Sequence, residues 1–169
     1  MDALTCLMTR RSIRKYAPGA VADDMVKKLL AAAMAAPSAG NSQPWHFVVI
    51  RDRATLDEIA NFHPYAKMLR EAPLAVLVCA DPAKEKYKGF WVQDCSAATM
   101  NLLLAAHALG LGAVWVGVYP EADRMENFRK LLGLPAEVMP LSLVPVGHPA
   151  AKAGEADRFA ADRVHADRW

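Results

Sequence analysis

The sequence has almost no surplus of charge of either sign: 20 lysines and arginines against 18 aspartates and glutamates leave +2. A nucleic-acid-binding face needs basic residues in clear excess, and nothing here supports one. Cysteine is scarce too. Cys6, Cys79 and Cys95 are an odd number with no CxxC spacing, which disfavours metal or thiol chemistry. Cys79 lies in an apolar run and reads as a buried reduced thiol. No GxGxxG or GxxxxGK[ST] follows a strand, so neither a dinucleotide fold nor a P-loop is supported. The opening Met1-Asp2-Ala3-Leu4 lacks a basic stretch followed by an apolar one, so a signal peptide is not expected and a cytoplasmic protein is.

What is present is apolar residue, 54% of 169 positions, enough for the core of one domain spanning 1–169. From Cys95 to Pro120 there is no Lys, Arg, Asp or Glu, a length sufficient to span a bilayer. Ser96, Thr99, Asn101 and His107 interrupt it, as does Gly110-Leu111-Gly112, and Val114-Trp115-Val116 then favours a strand. A buried helix followed by a buried strand is expected, with no membrane partner. Periodicity and breakers predict helices over 2–9, 23–36, 55–62, 65–71, 90–109 and 121–132. Met25, Leu29, Ala32, Met34 and Ala36 are expected to form the apolar face of the second. Strands are predicted at 45–50, 74–80, 113–119 and 141–146, giving an α/β or α+β sheet with helical cover. After Pro149 the composition turns polar, and residues 150–169 read as a C-terminal arm. The uncharged helix offers more apolar surface than one thin domain covers, which predicts a homodimer.

Three clusters carry candidate chemistry. Arg10-Arg11-Ser12-Ile13-Arg14 is either a phosphate-binding set, through paired guanidinium hydrogen bonds and a serine hydroxyl, or a solvated basic turn. The loop Pro37-Ser38-Ala39-Gly40-Asn41-Ser42-Gln43-Pro44 combines small residues with amides. It suits the edge of a flat heteroaromatic ligand, but also an ordinary helix-to-strand connector. The third is Asp157-Arg158-Phe159 with Arg163 to Trp169, an arm whose terminal tryptophan must dock on its own domain or a neighbour unless the arm frays.

In order and spacing, Arg-Arg-Ser-Ile-Arg-Lys-Tyr at 10–16, Pro-Ser-Ala-Gly-Asn-Ser-Gln-Pro-Trp at 37–45, Trp-Val-Gly at 115–117 and Arg-Val-His…Trp at 163–169 resemble the nitroreductase family of flavoenzymes. The resemblance implies an α+β fold, a mostly antiparallel or mixed sheet covered by helices, with the C-terminal arm exchanged in a homodimer. It implies non-covalent FMN, reduced by NADH or NADPH at flavin N5 and reoxidised by a nitroaromatic, a quinone or a similar small acceptor in ping-pong order. By the same resemblance Arg10 and Ser12 match the phosphate ligands, with Arg11 beside them, and Arg158 matches an arginine closing over the phosphate. Arg14 matches the cation at the pyrimidine edge, and Val116 and Gly117 the backbone near N5. Pro37, Ser38, Ala39 and Asn41 match the loop that reaches the flavin from the partner subunit.

Two features depart from the family pattern. Ala156 stands where a phosphate-binding lysine is usual, with Lys152 as a substitute, and the chain is short where a helical excursion usually shapes the substrate mouth. Lys67 is either a second cation at the pyrimidine or a solvated lysine. The chemistry belongs to the cofactor, so no protein nucleophile is expected and none of the five histidines needs a catalytic role. Other FMN chemistry (flavin fragmentation or reductive dehalogenation), a non-catalytic flavin-binding protein, and an interaction domain for acidic partners remain as alternatives.

Overall fold

The computed structural model describes residues 1–151, 154 and 156–169. Helix α1, Ala3–Thr9, starts where the Asp2 carboxylate accepts the Thr5 N–H at 3.0 Å. Helix α2 is Asp23–Met34; Pro37 disfavours helical backbone at Ala36 and so sets its end. Helix α3, Arg53–Phe62, is capped by Asp52 through the Thr55 N–H at 2.8 Å. Helix α4 is Trp91–Ala108, and helix α5, Ala122–Leu132, stops at Gly133 in the left-handed conformation (φ 63°).

The strands are β1 (Tyr16–Ala17), β2 (Trp45–Ile50), β3 (Leu74–Ala80), β4 (Gly112–Ala113), β5 (Val116–Gly117) and β6 (Met139–Pro149). Their order is β1-β6-β3-β2, with β4 and β5 also on β6, and every strand pairing is antiparallel. All seven residues of β3 are buried, because both faces of the sheet are covered. Leu74, Val76, Val78 and Ala80 face the core that includes residues of α2 and α4. Ala75, Leu77 and Cys79 face the core that includes residues of α3 and α5. Beneath α4, Thr99 Oγ1 donates to the Cys95 carbonyl, so Ser142 Oγ donates to Thr99 at 2.9 Å and ties the helix to β6. All three cysteines are free and buried; burial pushes the Cys79 and Cys95 thiols up to about 12.

The α+β architecture and the buried helix–strand reading of Cys95–Pro120 agree with the structure. Among the described residues no helix is long and apolar enough to cross a membrane. Three local expectations are corrected. The strand expected at 113–119 is split, since Val114 turns into the core and Trp115 turns out, leaving two-residue contacts on either side. The helix expected at 65–71 is a single 3-10 turn, Lys67–Arg70, because His63 caps α3 and Pro64 prevents continuation. On α2 the buried residues are Val26, Leu29 and Ala33, with Ala36 buried just beyond its end, whereas Met34 is 51% exposed. The apolar periodicity was one residue out of phase over part of that helix.

Gly112 is a point of close approach: a Cβ there would lie 2.6 Å from Ile13 Cγ2 and 2.9 Å from Ile13 Cβ. Gly112→Ala should therefore lower stability by about 1–3 kcal/mol, as overpacking does, read as a lower urea midpoint with an unchanged slope. An unchanged midpoint would show that Ile13 yields freely.

Candidate cofactor site

After α1 the chain runs extended. Ser12 forms a parallel bridge with Ala113, and the Ile13 N–H donates to the Ala113 carbonyl at 3.0 Å. Two cavities flank this segment. One, of about 600 Å³, is lined by Thr9, Arg11, Ile13, His107 and Leu111, with Pro149, Ala150, Ala151 and Gly154 of the C-terminal segment. The other, of about 430 Å³, is lined by Arg14, Tyr65, Lys67, Met68, Trp115, Val116 and Gly117. Arg11 and Arg14 are three residues apart, which in extended chain is about 10 Å. One short stretch therefore supplies a cation to each cavity.

The cations are poorly compensated. Among the described residues no carboxylate pairs with Arg10, Arg11, Arg14 or Arg158. Burial lowers the Arg10 pKa from its ordinary value, and the charges of Arg11 and Arg158 lower it further, so these three guanidiniums lie close together. Among the described residues the buried Nε atoms of Arg10 and Arg11 have no hydrogen-bond partner. Arg11 otherwise commits its nitrogens to carbonyls: Met8 at 2.9 Å, Arg10 at 2.7 Å and Ala156 at 3.3 Å. It thereby tethers the C-terminal arm at the position where the family's lysine is replaced. Lys152 lies outside the described residues. Clustered cations with orphaned donors fit a multivalent anion such as a phosphate.

The second cavity holds three of the expected ring-facing residues, Arg14, Val116 and Gly117, and adds Lys67 beside them. Sequence periodicity treated Lys67 as one position of a helix; the 3-10 turn is what brings it here. Gly117 is exposed and a Cβ on it would meet nothing within 4 Å, so a flat ring can approach its backbone. Behind Gly117 its carbonyl accepts from the buried His63 Nε2 at 3.0 Å and from Arg124 Nη1 at 3.2 Å. Neither residue carried a signal in the sequence.

The loop 37–41 is elsewhere. None of Pro37, Ser38, Ala39 and Asn41 lines either cavity. The loop is nevertheless tightly built. Asp94, buried in the first turn of α4, accepts the Ala39 N–H at 2.9 Å; Gln43 N–H donates to Ser38 Oγ at 3.0 Å, and Gln43 Nε2 to Asn41 Oδ1 at 2.9 Å. Gly40, Asn41 and Gln43 all adopt positive φ (59°, 55° and 49°), a local strain held by these bonds. Lys86 Nζ donates to the Gly40 carbonyl at 2.7 Å and so pins the loop's outer side. The C-terminal arm does not dock on its own chain at its end: Phe159 is 79% exposed and Trp169 fully so.

A helix-covered antiparallel sheet of this topology is shared with a known family of oxidoreductases. The nitroreductase family model matches residues 7–63 and 62–148, and the chain belongs to that family. A Methanothermobacter thermautotrophicus protein named "Putative NADH dehydrogenase/NAD(P)H nitroreductase" is 52% identical over 169 residues, covering all of this chain and 88% of the relative. The crystal structure of a protein of the same name from Parabacteroides distasonis superposes with a TM-score of 0.95 at 43% identity, covering 98% of each chain. A Desulfovibrio desulfuricans protein, described as a "putative nitroreductase in complex with fmn", superposes with a TM-score of 0.85 at 34% identity, covering 98% of this chain and 96% of that one.

His63 and His107 both titrate below the ordinary imidazole value. Burial lowers His63; burial, then Arg10 and Arg11, lower His107. With folded-state values depressed, the unfolded chain takes up the protons first. Their contribution to stability is complete above about pH 6.5 and is lost as pH falls below it. The Tm should therefore drop between about pH 7.5 and pH 5.5, with a shallower slope in His63→Gln. A flat profile over that range would contradict the neutral state of these rings.

Proposed function

We propose that the chain is an FMN-dependent NAD(P)H oxidoreductase acting on nitroaromatic, quinone or similar small acceptors, as one domain over residues 1–169 in a cytoplasmic homodimer. The observation that carries the reading is the row of cations that no carboxylate pairs with among the described residues, Arg10 beside Arg158 toward one end and Arg14 with Lys67 at the other. Bound FMN would supply the electron chemistry, accepting hydride from the nicotinamide and passing electrons to the acceptor.

The chain's own residues bind and orient. Arg10, Ser12 and Arg158 hold the phosphate, and Arg11 keeps the arm that carries Arg158 close by. Arg14 and Lys67 bring positive charge to the pyrimidine edge, where reduction builds negative charge. Val116 and Gly117 offer backbone to the reactive edge, while Tyr65 and Trp115 form walls that exclude water. Pro37, Ser38, Ala39 and Asn41 act across the interface on the partner's cofactor. Their rigid geometry away from their own chain's cavities supports that assignment. Leu4, Leu7, Met8, Phe159 and Trp169 are exposed in the single chain and supply apolar surface for the dimer.

Light scattering should find a dimer that keeps its FMN on dilution, with an interface of more than about 2,000 Å². A stable monomer retaining FMN would overturn the shared site. Titration with FMN and riboflavin tests the phosphate end. One charged hydrogen bond is worth about 1.5–3 kcal/mol, so Arg158→Ala should weaken FMN by roughly 10- to 150-fold and leave riboflavin nearly unchanged. Arg14→Ala should weaken both flavins. Equal loss for both flavins in Arg158→Ala would remove that arginine from the phosphate site.

A further inference from the structure

We propose that His63 is a positioning residue for the redox site, holding the two walls of the ring cavity in register through its two ring nitrogens. The proposal rests on reading the 430 Å³ cavity as the ring end of an FMN site. One wall is the turn after α3, which contributes Tyr65, Lys67 and Met68; the other is the segment from Val114 to Gly117. His63 sits between them, fully buried, with Phe128 and Tyr65 rings 6.3 and 6.4 Å away.

Its tautomer follows from its partners. The Tyr65 N–H donates to Nδ1 at 3.2 Å, so that nitrogen carries no proton. The proton is on Nε2, which donates to the Gly117 carbonyl at 3.0 Å. Each nitrogen grips a different wall. The second wall needs the grip, because β5 is only two residues long, follows the break at Val114 and Trp115, and ends in a glycine with no side chain to anchor it. Beyond it, the N–H groups of Val118 and Tyr119 both turn to the Leu141 carbonyl. Among the described residues the Gly117 carbonyl has one other donor, Arg124 at 3.2 Å, an exposed bond whose guanidinium also lies 5.4 Å from the Tyr65 ring centroid. The bond from His63 comes from a fully buried ring held at both nitrogens, so it is the more shielded and the stronger constraint of the two. It sets the tilt of the peptide plane that Gly117 presents to the cavity.

Two near-isosteric variants separate the nitrogens. His63→Gln keeps a donor at the reach of Nε2 and loses the acceptor for Tyr65. His63→Asn keeps the acceptor and loses the donor to Gly117. In FMN-loaded protein, His63→Asn should slow anaerobic flavin reduction by NADH or NADPH about 2- to 10-fold and shift the flavin midpoint potential, with little change in FMN affinity. His63→Gln should restore both toward wild type. In the apoprotein, His63→Asn should speed hydrogen exchange at the Val118 and Tyr119 amides, and His63→Gln should not.

If both variants change reduction equally, in proportion to a lowered Tm, His63 is a core residue and the proposal fails. It fails also if exchange responds but reduction rate and potential do not. A wild-type protein that binds no FMN would overturn the cofactor reading instead, and the exchange measurement still decides whether His63 holds Gly117.

Discussion

Strand β6 is paired along both edges, and the candidate site is laid out by that fact. One edge carries β3 from Leu74↔Val146 to Ala80↔Met139; the other is divided among β1, β4 and β5. The extended 10–14 segment hangs on β4 through Ser12 and Ile13, and Gly117 hangs on β5. Arg14 and Gly117, far apart in sequence, therefore face one cavity because both are referenced to the same buried strand. Breaking the second edge into short pieces leaves Trp115 free to turn outward. A continuous strand there would have fixed its side chain by the pleat alone.

The electrostatics follow from the same layout. Burial first, and then the neighbouring charges of Arg11 and Arg158, lower the Arg10 pKa, so this cluster of cations costs stability where, among the described residues, no carboxylate pairs with it. An anion would relieve that cost. The loop at 37–41 has the opposite character. Its own polar groups are largely satisfied internally or by Asp94, so it is a finished, rigid surface rather than an unfilled pocket. A rigid surface on one side and a cationic cavity on the other are what the proposed sharing of a site between two copies of the chain calls for.

Much was legible in the sequence alone because it depends on local chemistry. Asp2, Asp52 and Gly133 mark helix ends through capping and the left-handed turn. The uninterrupted apolar run 74–80 announces a strand covered on both faces. The motif Arg-Arg-Ser-Ile-Arg and the loop before Trp45 helped to carry the family, and both lie within the stretch 7–63 that the family model matches. What the sequence could not contain is the pairing of distant segments. Lys67, which the sequence left between two readings, lines one cavity with Arg14 because the segment after α3 is a 3-10 turn. His63 meets Gly117 across 54 residues, a contact with no periodic signature. The division of the strand at 113–119 was likewise decided by tertiary packing, with Val114 turned into the core and Trp115 turned out. Local propensity is written in neighbouring residues; which wall faces which is settled only when the sheet closes.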